Sequence, residues 1–321
     1  MPEQLPKSVK FYSRSFAFIR GFKPVLGENT MLKSLSGLLA TLFLAGAASA
    51  ADDPRWSVPA DPANFHLFVL MGQSNMAGYG CAIASDPWQP GDKEPVPQIL
   101  VLDGQGTSDS DKPVGAIAWR PGAHRLHLNQ GTAQFGMGMD FAKTYLKTHP
   151  GVTVGLIPCA WGGAPIDALK QGTPVYRNAL ERIRFATRQG KLKGALWHQG
   201  ESDTVSAALA NAYKGKLQKL IADLRQDTGV PALPFLIGNL AEFYGKCPDH
   251  GAPARLLQIA TVRKAFEETS KELPMVGFVS TKDLTSIDKN FVHFDRQSLA
   301  TLGQRYAEVY EKLITAPPVP K

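Results

Sequence analysis

Short apolar runs alternating with longer amphipathic stretches constrain this chain more than any other feature. His66–Met71, Gln98–Asp103, Val152–Pro158, Gly194–His198, Pro234–Leu240 and Met275–Ser280 are too brief for ordinary helices and read as buried strands. Their near-continuous hydrophobicity suits strands covered on both faces, as in a parallel sheet. Between them lie helical patterns at Thr132–Lys147, Tyr176–Gln189, Ala207–Asp227, Arg255–Lys271 and Gln297–Ile314. In the first of these, Phe135, Met139, Ala142 and Leu146 recur at helical spacing, and Pro150 follows; Gly190 and Gly229 close the next two. Strands alternating with helices predict a three-layer α/β fold built on a parallel sheet. No repeat or linker interrupts the alternation, so a single domain is expected over residues 65–316, after a Pro-rich lead at 51–64. The stretches 78–93 and 104–130 are long, polar and rich in Gly and Pro, which is where function concentrates.

The formal charge of +7 is partly a property of the N-terminus. Residues 1–50 carry six basic and two acidic side chains, and without them the surplus is three. That leaves no electrostatic footprint for nucleic acid. From Met31 the sequence reads as a secretory signal: Lys33, an apolar stretch from Leu35 to Ala47, then the small-residue pattern Ala48-Ser49-Ala50. The apolar stretch is shorter than the roughly 20 residues that span a bilayer. The expectation is a signal at 31–50 and an exported product, periplasmic or secreted, with no membrane partner after cleavage. Residues 1–30 are then expected to be a disordered, non-native extension ahead of the true start at Met31. Three cysteines, Cys81, Cys159 and Cys247, allow at most one internal disulfide, with its pairing open.

Chemistry-bearing residues gather where strands end, which is where open parallel sheets place their sites. The first strand runs into Gly72-Gln73-Ser74-Asn75-Met76-Ala77-Gly78. A serine on a tight turn after a buried strand can expose its hydroxyl as a nucleophile, with backbone amides facing a developing oxyanion. Met76 rules out the G-x-S-x-G elbow. The strand ending at Pro158 leads to Cys159-Ala160-Trp161-Gly162-Gly163, whose paired glycines let the backbone approach a ligand. The strand from Gly194 ends in Trp197-His198-Gln199-Gly200-Glu201-Ser202-Asp203, a polar cluster costly to bury unless satisfied or functional. Gln199 can donate to an oxyanion, Glu201 can orient a histidine, and Ser202 or Asp203 can cap the next helix. Ahead of the last helix comes Asn290-Phe291-Val292-His293-Phe294-Asp295. His293 suits general-base work near neutral pH, and Asp295 suits a helix cap. His124 and His127 lie three apart and His149, His198 and His250 are scattered, so no zinc signature appears. His124 and His127 read as solvated loop residues or cleft lining. Tyr79, Trp88, Trp119 and Trp161 are loop aromatics that can stack on sugar rings or pack beneath the loops.

In this order the four motifs resemble the SGNH hydrolase superfamily, and within it the sialate O-acetylesterase and acetylxylan esterase branch, over roughly residues 65–314. The resemblance implies a flavodoxin-like sandwich of about five parallel strands. It implies a serine esterase that deacetylates carbohydrates through an acetyl-serine intermediate, with no cofactor and no metal. Ser74 resembles the nucleophile and His293 the base. The amides of Ser74 and Gly163 and the side chain of Gln199 resemble the oxyanion hole. Many members carry an aspartate three residues before the histidine, where this chain has Asn290. Glu201 is therefore the first candidate to orient His293, with Asp288 as the alternative. Gln73, Asn75, Trp161 and His124 are candidates for the substrate cleft. The expected partner is an acetylated carbohydrate, either acetylated xylan or acetylated sialic acid. The competing readings are a non-catalytic glycan-binding protein on the same scaffold and an esterase of other ester specificity.

Overall fold

The computed structural model describes residues 53–80, 84–128, 134–246, 253–287 and 291–316. The expected signal and N-terminal extension lie outside the described residues, as do Cys81, Cys247, His250, Asp288 and Asn290. Seven strands form one sheet: β1 (Phe65–Gly72), β2 (Val96–Leu102), β3 (Trp119–Gly122), β4 (Thr153–Pro158), β5 (Lys191–His198), β6 (Phe235–Gly238) and β7 (Val276–Val279). Their order is β3-β2-β4-β1-β5-β6-β7. Every pairing is parallel except β2 with β3. The α/β reading holds, but the sheet has seven strands rather than about five. All six strands expected from the apolar runs form, and β3 adds an antiparallel edge. Its sequence, Trp-Arg-Pro-Gly, has no alternation to betray a strand, and an edge tolerates Pro121 because one side of the strand needs no ladder bond.

The helices are α1 (Ser74–Ala77), α2 (Gly138–Thr148), α3 (Pro174–Thr187), α4 (Ala207–Thr228), α5 (Pro253–Glu272) and α6 (Arg296–Thr315). α2 begins at Gly138, six positions later than the apolar spacing suggests. Phe135 instead bridges to Gly80, its amide donating to the Gly80 carbonyl over 3.0 Å. Loop pairing there outweighs a helical tendency already weakened by Gly136 and Gly138. None of the described helices is long and apolar enough to cross a membrane.

Strand alternation assigns the layers. Met71 registers with Trp197 across β1 and β5, so Trp197 faces the same way as Met71 and opposite to Phe68. The Phe68 ring meets Phe141 and Tyr145 of α2 at 4.8 and 4.9 Å and Tyr310 of α6 at 5.3 Å. The Trp197 indole donates to the Tyr213 hydroxyl of α4 over 3.2 Å. Thus α2 and α6 pack together on one face, and α4 packs with α5 and α3 on the other. All eight residues of β1 are buried. Arg182 of α3 is buried too, its guanidinium donating to the carbonyls of Leu102, Asp103 and Pro158 at the carboxyl ends of β2 and β4. Those bonds replace the water that a buried charge loses. The chain runs from β1 to β2 and β4 on one side, then crosses to β5 on the other. That reversal opens a crevice beyond the carboxyl ends of β1, β4 and β5.

Candidate active site

β1 and β5 end side by side, and glycine makes that possible. Gly72 has φ +134°, and a Cβ there would lie 2.1 Å from the His198 carbonyl oxygen. The same carbonyl accepts the Gln73 amide over 2.9 Å. The chain then turns directly into the single turn of α1, which places Ser74 at its first position. Across the crevice Gly200, at φ +141°, turns the end of β5 into a 3-10 turn at Glu201–Val205.

His293 arrives from the segment between β7 and α6. Its carbonyl accepts the Ile287 amide over 2.9 Å and the Ser286 hydroxyl over 3.1 Å. Asn75 grips the peptide groups on either side of it: Nδ2 donates to the Val292 carbonyl (3.0 Å) and Oδ1 accepts the Phe294 amide (3.2 Å). The result is His293 Nε2 at 2.9 Å from Ser74 Oγ. Two residues 219 positions apart thus share a hydrogen bond of the length a nucleophile and its base require. Tyr79 stacks on the imidazole with ring centroids 4.8 Å apart and planes at 12°. Burial pushes the His293 pKa down to about 4, so the imidazole is neutral and able to take a proton at ordinary pH.

Not every candidate stands where the sequence suggests. The Glu201 carboxylate does not hydrogen-bond His293. Its Oε1 accepts Asn75 Nδ2 over 2.7 Å, and Oε2 is buried without a partner. Burial, only partly offset by the residue's own backbone amide and by the Asn75 hydrogen bond, raises its pKa to about 7. A carboxylate reaches an imidazole only when both face the same gap, and Asn75 stands as the intermediary here. Asp288, the alternative, lies outside the described residues.

Gln199 is fully buried and off the cleft wall. Its Nε2 donates to Asp203 Oδ2 (2.6 Å), the Ala164 carbonyl (3.1 Å) and Gln73 Oε1 (3.2 Å), and its Oε1 accepts the Tyr213 hydroxyl (2.7 Å). Asn75 is likewise a buried clamp, not cleft lining. Trp161 is half-buried beside Gln105 and Val175 and does not line the cleft that holds Ser74. His124 stacks on Phe135 at 4.1 Å under the loops, and His127 is fully buried, so neither is a solvated loop residue or part of this cleft. Ser202 and Asp203 do not cap α4. Ser206 does, accepting the Leu209 amide over 3.3 Å, while Ser202 Oγ donates to the Gly163 carbonyl over 2.9 Å.

The cleft, of about 340 Å³, is lined by Gln73, Ser74, Tyr79, Gly163, Glu201, Ser202, Val205, Tyr244, Arg255, Val292 and His293. Tyr244 and Arg255 have no sequence signal: one follows a strand within a turn, the other opens an amphipathic helix and reads as a solvated charge. Arg255 donates to the Tyr244 hydroxyl over 2.7 Å and the Glu201 carbonyl over 3.3 Å, and its Nε has no partner.

Comparison with known proteins accords with this arrangement. The family model for "Carbohydrate esterase, sialic acid-specific acetylesterase" matches residues 64–312. A probable carbohydrate esterase of Arabidopsis thaliana is 29% identical over 274 residues, covering 81% of this chain and 94% of that protein. The solved structure of that plant protein aligns with a TM-score of 0.64 at 28% identity, over 78% of this chain and 99% of its own. A carbohydrate acetylesterase from Xanthomonas citri shares the fold, with a TM-score of 0.58 at 20% identity over 78% of this chain and 56% of that one. With the match running across the whole sheet and every cleft-lining element, the chain belongs to the sialic acid-specific acetylesterase family of carbohydrate esterases and is a carboxylic ester hydrolase.

Proposed function

We propose that this protein is an exported sialate-type O-acetylesterase in which Ser74 attacks the acetyl carbonyl and His293 is the base. The observation that carries the reading is the 2.9 Å hydrogen bond between Ser74 Oγ and His293 Nε2 at the floor of the cleft. His293 takes the hydroxyl proton as Ser74 forms its bond to the carbonyl carbon. The amides of Ser74 and Gly163 receive the oxyanion. The protonated imidazole then gives its proton to the departing sugar oxygen, leaving acetyl-serine. Water, activated by the same imidazole, releases acetate and restores Ser74. The signal pattern at 31–50, Lys33 followed by the apolar stretch Leu35 to Ala47 and then Ala48-Ser49-Ala50, supports export.

Arg255 supports the choice of sugar. A guanidinium in the cleft wall suits a substrate with a carboxylate of its own. Acetylated sialic acid has one and acetylated xylan does not. Acetate release from matched panels of the two substrates tests the reading. Acetylated sialosides should be the better substrates, and Ser74→Ala should lower turnover by at least about 10³-fold while the protein stays folded. Arg255→Met should raise KM for acetylated sialic acid about tenfold or more, the loss of one charge-assisted contact, and leave p-nitrophenyl acetate hydrolysis nearly unchanged. Preference for xylan, with Arg255→Met silent, rejects the sialate choice. Turnover by Ser74→Ala rejects the mechanism.

A further inference from the structure

We propose that Tyr79 is a positioning residue for His293: its ring face keeps the imidazole aimed at the reacting atoms and steadies the imidazolium, above all while the acetyl-enzyme is hydrolysed. This rests on the reading of Ser74 as nucleophile and His293 as base. The two rings stack with centroids 4.8 Å apart and planes at 12°, the spacing of an offset face-to-face pair. A cation within about 6 Å of an aromatic centroid and over its face is attracted by the negative charge of that face. Neutral imidazole gains packing from this contact, and imidazolium gains packing and that attraction together. The contact therefore strengthens as His293 takes up a proton, and only interactions that strengthen on the way to the transition state speed a reaction.

The backbone around Tyr79 is fixed on both sides. Gly78 closes α1, its amide donating to the Ser74 carbonyl over 2.9 Å. The carbonyls of Gly78 and Gly80 accept the amides of Gln134 and Phe135 over 2.5 and 3.0 Å. Neither glycine has room for a side chain: a Cβ would lie 2.4 Å from the Phe135 carbonyl oxygen at Gly78, and 2.8 Å from Leu299 Cδ1 of α6 at Gly80. Tyr79 is thus held by the turn that carries Ser74, so the base is aligned from the nucleophile's own frame. In the resting protein the 2.9 Å bond between Ser74 Oγ and His293 Nε2 does the same work. In the acetyl-enzyme Oγ is esterified and has no hydrogen left to donate, while the stack with Tyr79 does not depend on that hydroxyl. A water oxygen then bonds to the acetyl carbon as its proton passes to Nε2. The imidazolium, lying against the Tyr79 face, returns that proton to Oγ as the ester bond breaks, and acetic acid leaves and ionises.

The test uses Tyr79→Leu in the full chain, assayed on p-nitrophenyl acetate and on an acetylated sugar. Leucine keeps an apolar group against the imidazole and removes the aromatic face. A kcat reduced by about 10- to 100-fold on both substrates, with KM changed only a few-fold, is expected for a base that has lost its alignment and the support of its charge. Rapid mixing with p-nitrophenyl acetate should show a burst approaching one nitrophenol per protein molecule, because hydrolysis of the acetyl-enzyme slows most. Tyr79→Phe restores the ring without the hydroxyl and should bring kcat back to within about threefold of the wild type. A Leu variant within threefold of the wild type, a Leu variant slowed without a burst, or a Phe variant as slow as the Leu variant overturns the proposal. A second measurement does not depend on a variant folding: a crystal structure of the wild-type protein with an alkyl phosphonate on Ser74. The two rings should remain stacked, with centroids about 5 Å apart. An imidazole turned off the Tyr79 face overturns the proposal and leaves the esterase reading intact. Turnover by Ser74→Ala overturns both.

Discussion

At the scale of single residues, the unusual group is Glu201, a carboxyl buried beside the cleft whose Oε1 accepts Asn75 Nδ2. Its pKa rises from 4.5 in the open chain to about 7 in the fold, because burial disfavours the charged form. The folded protein therefore holds a proton that the unfolded chain has released between these values. Stability from this group is fully present below about pH 4.5 and is lost as pH rises through about 7. The span corresponds to about 3 kcal/mol as an upper figure. Glu201→Gln keeps an oxygen for Asn75 and carries no charge. It should melt with the wild type at pH 4.5 and above it at pH 8, so the difference between their denaturant midpoints should grow across that window. A constant difference would mean that Glu201 is ionised throughout. Because the carboxylate touches Asn75 and not the imidazole, the same variant should keep acetylesterase activity within about tenfold of the wild type at pH 7, short of the roughly 10⁴-fold fall when a histidine loses its orienting carboxylate.

At the scale of elements, the segment carrying His293 is short and folded back on itself. Asp295 links the two sides of that fold and the helix that follows. Its backbone amide donates to the Thr285 carbonyl (3.1 Å), one carboxylate oxygen accepts the Thr285 hydroxyl, and the other accepts the Ser298 amide over 2.7 Å as the cap of α6. Asp295 was expected as a cap from its place before an amphipathic run, and it is one. Asp295→Ala should cost about 1 kcal/mol in chemical denaturation, the usual worth of such a cap. It should also lower kcat/KM by between a few-fold and about 10²-fold, since the imidazole must keep its distance from Ser74 to within a fraction of an ångström. A stability loss with unchanged kcat/KM would show that the histidine segment keeps its place without Asp295.

At the scale of the whole molecule, the cleft depends on a sheet gripped from both sides. Phe68, fully buried in the central strand, is where α2 and α6 both press on that sheet, through edge contacts with Phe141, Tyr145 and Tyr310. Phe68→Ala should destabilise the protein by roughly 3–5 kcal/mol, the sum of lost transfer energy and an unfilled cavity. Measured by urea unfolding, the midpoint should fall while the slope stays the same. A loss under 1 kcal/mol would mean that the helices close over the gap.

Several features were fixed by local pattern alone. Apolar runs of four to eight residues yield β1, β2, β4, β5, β6 and β7 because a buried parallel strand needs no alternation. Spacing and caps locate α3 to α6 within a few residues. The order of motifs along the chain points to Ser74 and His293 through its resemblance to the SGNH hydrolases. What the sequence alone leaves open has a common cause: a side chain's role depends on the partners it meets across the fold. Gln73 and Gln199 are the same amide in similar strand-end motifs, and only the fold shows that they bond each other. Glu201 is chemically able to orient a histidine, yet Asn75 stands between them. β3 has no pattern because an edge strand need not bury a face, and Arg255 looks solvated until α5 carries it to the cleft wall. Periodicity records burial, which is a property of the local chain, whereas hydrogen-bond partnership joins residues more than a hundred positions apart and exists only once the sheet has brought them together.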